Sequence, residues 1–174
     1  MKPQDIIILL QIALLQETKW SYKSLSQKTF ISPMQCHRSI RRLDEVHLFN
    51  MQLNKINYPN LIEFLIHGFK YAFPGKIEGK ALGIPTAYSA PIFFNHIVSN
   101  ELIVWPYKEG QKEGISLEPI HEVVPQIALR NPKMYDMLSL LDALRIGRIR
   151  EIEYATLKIK EMLNKPFMLN QYQH

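Results

Sequence analysis

Apolar residues fill Ile6–Leu10 and resume at Ile12–Leu15 after the single polar Gln11. With no glycine and with Pro3 suited to a first helical turn, the spacing predicts a helix over Pro3–Gln16. Apolar residues surround this helix almost completely, so neighbours should cover it on several sides. A short second helix fits Ser21–Thr29, with Ser21 as N-cap and Tyr22 and Leu25 on its inner face. Ser32, Pro33 and Gln35 supply an N-cap, a proline at the first helical position and a capping-box partner for a third helix. Its inner face reads Cys36, Ile40 and Leu43, and it should end near His47. After a polar stretch, Asn50–Asn57, a fourth helix fits Pro59–Ala72, where Leu61, Leu65 and Phe69 recur every four residues.

The pattern then changes. Phe73–Pro91 holds Gly75, Gly79 and Gly83 with Pro74, Pro85 and Pro91, and reads as an ordered but irregular loop. Apolar stretches at Leu102–Tyr107 and Ile115–Leu117 flank a polar tip, which predicts a β-hairpin over 102–117. Helices around His121–Leu129, from Pro132 to Ile146 and from Arg148 to Leu163 complete the chain, with Asn131 capping the second and Gly147 separating the last two. The expected fold is mainly α with a small β-hairpin. It divides into a helix-turn-helix part over 1–57 and a helical association region over 58–174.

Composition narrows the class. The chain has 174 residues, of which 47% are hydrophobic and 21% charged, enough apolar material for a core and too much for a disordered tail. Lys and Arg number 21 against 16 acidic residues, and the resulting +5 permits a polyanionic partner. The single cysteine, Cys36, excludes an internal disulfide and points to a reducing, cytoplasmic setting. The apolar run near the N-terminus is shorter than the ~20 residues a membrane span needs, so no membrane association is expected.

Two short helices joined by a tight turn, with another in front, are the parts of a helix-turn-helix. From Leu25-Ser26 through Ser32, Cys36, Ile40 and Leu43 to Leu48-Phe49, the stretch resembles winged helix-turn-helix regulators of the MarR (multiple antibiotic resistance regulator) type. The resemblance implies a homodimeric, sequence-specific transcriptional regulator, more often a repressor, that places two recognition helices in successive major grooves of double-stranded DNA. Phe30 and His47 stand where that pattern carries turn glycines. The segment Asn50–Asn57 is too short for the usual two wing strands and basic tip. Charge supports the same reading independently: Lys19, Lys23, Lys28, Arg38, Arg41 and Arg42 fall in a stretch without one acidic residue. Met34, Gln35, His37 and Arg38 are the expected base contacts, and Lys23, Lys28, Arg41 and Arg42 the expected phosphate contacts.

Other chemistry is thinly represented. Cys36 and His37 are adjacent and diverge by about 100° on a helix, so they form neither a nucleophile–base pair nor a chelate. His47, His67, His96, His121 and His174 lack metal-ligand spacing. Gly75, Gly79 and Gly83 follow a helix instead of preceding one, so they do not form a phosphate cradle. Trp105-Pro106-Tyr107 reads as hairpin packing, and Asp142, Arg145, Arg148 and Arg150 as a solvated face or dimer seam. No enzyme, cofactor or metal is expected. The rival reading is a protein-binding antitoxin or adaptor subunit of a two-gene system. In it the helix-turn-helix fold is retained and the C-terminal region captures a protein partner.

Overall fold

The computed structural model describes residues 1–15, 19–96 and 101–169. Two compact units emerge: Met1–Phe64 together with the chain from Lys158 on, and Leu65–Leu157. The boundary therefore falls inside the helical run that follows Asn57, and the last helix ends in the first unit. The expected end of the first helix at Gln16 and the C-terminal His174 lie outside the described residues.

In the first unit, α1 spans Pro3–Leu14, α2 Tyr22–Thr29 and α3 Pro33–Glu45. Ile6 to Leu10 are all fully buried, as a helix apolar on every side requires. Ser21 and Ser24 close the start of α2 reciprocally, each side-chain oxygen accepting the other's backbone N–H at 2.9 and 3.1 Å. Helix α2 stops at Phe30 and α3 runs out at His47, both non-glycine residues in the left-handed region at φ 58°. At His47 the Leu48 N–H reaches back to the Leu43 carbonyl at 3.0 Å, the closing bond usually built on glycine. Two residues per strand then pair antiparallel, β1 (Phe49–Asn50) with β2 (Lys55–Ile56). The segment expected to be too short for strands thus forms a minimal hairpin. Its turn is held by Asn50 accepting the Leu53 N–H and by Asp44 accepting the Met51 N–H, both at 2.9 Å. Asn57 caps α4 (Tyr58–Glu63). The run continues as a π turn over Phe64–Gly68 and α5 over Phe69–Ala72. Leu61, Leu65 and Phe69 are all fully buried, as their spacing predicts.

The second unit departs from the expected pattern. The segment read as an irregular loop contains a nine-residue strand, β3 (Ile77–Pro85). Ile103–Pro106 (β4) and Lys112–Leu117 (β5) do not pair as an antiparallel hairpin. Each pairs antiparallel with β3, β4 near Gly83–Pro85 and β5 along Ile77–Gly83. They pair with each other in parallel at Ile103–Ile115 and Val104–Ser116, which closes the three strands on themselves. A five-residue connection normally cannot join parallel neighbours. Here β4 ends and β5 begins opposite the same residue, Gly83, and the connection crosses β3 there. Gly110 lies directly on Gly83, and a Cβ on either would overlap backbone, so glycine is required at both by close approach. A bulge between Ile77 and Lys80 bends β3 to complete the closure.

Helices α6 (Val124–Arg130), α7 (Pro132–Ile146) and α8 (Ile149–Leu169) follow, with Asn131 capping α7 as expected. Asp142 and Arg145 are not a solvated face. Both side chains are only 4% exposed and pair at 2.7 Å. The other Asp142 oxygen accepts from the Thr86 hydroxyl at 2.8 Å and the Trp105 indole N–H at 2.6 Å. Arg145 also donates to the carbonyls of Phe73, Pro74 and Glu118. One ion pair therefore joins α7 to both ends of β3, to β4 and to the residue after β5. Trp105 is core, 1% exposed. Nearby, the Tyr135 hydroxyl donates to the Pro85 carbonyl at 2.6 Å, and burial with the neighbouring Asp136 pushes that phenol up to about 12. It remains a donor at any working pH.

Asp142→Ala should destabilise the protein by about 3–5 kcal/mol, because it leaves a buried guanidinium without its counter-charge. Urea denaturation followed by tryptophan fluorescence measures the loss. A midpoint shift worth less than about 1 kcal/mol would mean that the pair does not organise this unit.

Candidate nucleic-acid interface

Two opposed stripes define α3. Cys36, Ser39, Ile40 and Leu43 are buried, at spacings of three, four and seven. Met34, His37, Arg38 and Arg41 repeat the same spacings on the opposite side and are all exposed, Met34 by 65%. The inner stripe fixes the outer one. Leu25 and Ile31 join Cys36 in the core, and the Cys36 thiol donates to the Ile31 carbonyl at 3.4 Å. Burial pushes this thiol up from its ordinary value, the environment of a packing residue and not of a nucleophile.

The start of α3 is held by its cap. Ser32 accepts the Gln35 backbone N–H at 3.3 Å, and its hydroxyl donates to Gln35 Oε1 at 3.2 Å. His37 meets the Tyr22 ring edge-on, with centroids 5.3 Å apart. Trp20 packs edge-on against both Tyr22 and Phe49, at 5.6 and 6.0 Å. This aromatic chain links α2, α3 and β1 and ends at the exposed His37. Lys23 and Lys28 are exposed on α2.

Seven of the eight residues expected to touch DNA are therefore exposed on α2 and α3. Arg42 is placed differently. Its guanidinium grips the Asp5 carboxylate of α1 with two hydrogen bonds, Nε to Oδ2 at 2.9 Å and Nη2 to Oδ1, and Nη2 also reaches the Ser39 hydroxyl at 3.2 Å. Asp5 is fully buried and the Arg42 side chain is 24% exposed. The carboxylate raises the Arg42 pKa further. Arg42 positions α3 on α1; it is not a free phosphate ligand. Sequence reasoning missed this pair. Its signal was an acid in an otherwise apolar helix, which must find a partner when buried.

Charge is divided unequally between the units. The first carries 11 basic and 6 acidic residues, the second 10 of each, so the whole surplus of +5 belongs to the unit that holds α3. Among the described residues, no group of three or more His, Cys, Asp or Glu side chains is placed to hold a metal ion. No helix among them is long and apolar enough to cross a membrane.

Arg42→Ala should cost about 3 kcal/mol, near the lower end for breaking a buried pair because the arginine keeps some contact with solvent. Arg41→Ala, one residue away and exposed, should stay within about 0.5 kcal/mol of the parent. Thermal unfolding of the two variants tests the assignment. Equal stabilities would return Arg42 to the surface.

Comparison with protein-family models, curated proteins and solved structures finds no match to this chain.

Proposed function

We propose that the first unit is a winged-helix-like DNA-binding module and that the protein is a sequence-specific transcriptional regulator, acting as a homodimeric repressor. The observation that carries this reading is the outward stripe of α3. A rigid helix, capped at Ser32 and pinned at Arg42, exposes Met34, His37, Arg38 and Arg41 in line, flanked by Lys23 and Lys28 of α2. A helix presented in this way suits the major groove, with base readers in its first turns and phosphate ligands later. Arg38 is the base reader of guanine. Arg41, nearly a turn on, joins Lys23 and Lys28 on the phosphates. The minimal β1–β2 hairpin stands where such modules carry a wing. It brings one basic residue, Lys55, so affinity depends chiefly on α3.

The neutral second unit leaves Tyr71, Leu129 and Ile149 well exposed. That favours, as a second reading, a protein-binding role for this part of the chain, in keeping with an adaptor or antitoxin subunit.

A gel-shift titration with the best operator and a scrambled duplex tests the first reading. Arg38→Ala should weaken operator binding by about 1–3 kcal/mol and leave scrambled DNA nearly unaffected. Arg41→Ala should weaken both duplexes equally and flatten the salt slope by about one unit. Equal losses on both duplexes for Arg38→Ala would make it a phosphate ligand. Unchanged binding in both variants would move the interface away from α3.

A further inference from the structure

The cap of α3 constrains more than helix stability. A glutamine reads adenine bidentately by presenting its carbonyl oxygen and amide nitrogen side by side, the oxygen to N6–H and the nitrogen to N7. In this chain the Gln35 carbonyl is turned back onto the N-cap. The Ser32 hydroxyl accepts the Gln35 backbone N–H at 3.3 Å and donates its own proton to Gln35 Oε1 at 3.2 Å. The exposed side chain therefore leads with its Nε2 hydrogens, as a donor. A base edge offering two adjacent acceptors and no donor in the major groove is that of guanine, with N7 and O6.

We infer that Gln35, oriented by Ser32, reads guanine instead of adenine, and that each operator half-site carries two guanines within one or two base-pair steps, one under Gln35 and one under Arg38. The spacing follows from the helix. Three residues rise about 4.5 Å along α3, against 3.4 Å per base step. The two residues are also neighbours on the helix surface, as any pair three apart must be. The aromatic contact with Tyr22 occupies one side of His37, whereas Gln35 and Arg38 are exposed on the first turns of α3. The inference rests on the DNA-binding reading and specifies the base chemistry that reading leaves open.

Selection of the full chain on random-sequence duplexes tests it. The parent protein should enrich guanine over adenine at two nearby columns of each half-site, by at least about fivefold. Gln35→Ala should flatten one of these columns and leave the other, which Arg38→Ala should flatten in turn. Ser32→Ala frees the Gln35 carbonyl, so adenine should rise several-fold at the Gln35 column only, with circular dichroism confirming that the variant is folded. Should Ser32→Ala lose its fold, Ser32→Thr, which keeps both the cap and the hydroxyl proton, should retain the guanine preference. Enrichment of adenine at the Gln35 column by the parent protein would overturn the inference and leave the DNA-binding reading standing. Failure to recover any duplex would overturn both.

Discussion

A fully buried carboxylate on α1 sets the geometry on which the candidate interface depends. Asp5 sits beside Ile6–Leu10, where a lone charge is not tolerated, and Arg42 of α3 neutralises it through two hydrogen bonds. That pair fixes the rotation of α3 about its own axis. With Cys36, Ile40 and Leu43 turned inward, the helix has no freedom left, and Met34, His37, Arg38 and Arg41 face out together. The second unit uses the same device. Asp142 draws Thr86, Trp105 and Arg145 onto one carboxylate, and Arg145 gathers three backbone carbonyls from two segments, Phe73 and Pro74 before β3 and Glu118 after β5. In each unit one buried acid on a largely apolar helix determines which segments meet.

Much of the first unit was legible in the sequence because its signals are local. Ser21 and Ser32 as caps and the inner faces of α2 and α3 follow from residue type and short spacing, whereas the left-handed turns at Phe30 and His47 do not, since neither is glycine, the residue that positive φ favours. The two decisive ion pairs were not legible as pairs. Asp5 and Arg42 are 37 residues apart, and nothing local announces which arginine a buried acid will take. Asp142 and Arg145 are close in sequence but read as surface, because a charged i, i+3 pair on a helix is ordinarily solvated.

The second unit was read least well, for a topological reason. Glycine and proline in Phe73–Pro91 signal a loop when strands are judged alone. In the folded chain Gly83 leaves room for the Trp105 carbonyl of β4, and Gly110 lets the connection from β4 to β5 pass over β3 at Gly83. Likewise, two apolar stretches around a polar tip suggest a hairpin, but β3 pairs with each of them antiparallel and so makes them parallel to each other. Pairing between distant segments overrides the pattern within each.

The division of charge links structure to function. The second unit balances its charges, and the surplus lies wholly in the unit carrying the exposed stripe of α3, where Asp5 is already neutralised by Arg42. At 20.4 kDa the chain suits backbone amide NMR. Titration of the isotopically labelled protein with an operator duplex measures directly which surface meets DNA. Shift changes concentrated over Met34–Arg41, with weaker ones at Lys23, Lys28 and the β1–β2 turn, are the expected result. Changes confined to Ile77–Leu117, with the amides of α3 unmoved, would contradict it.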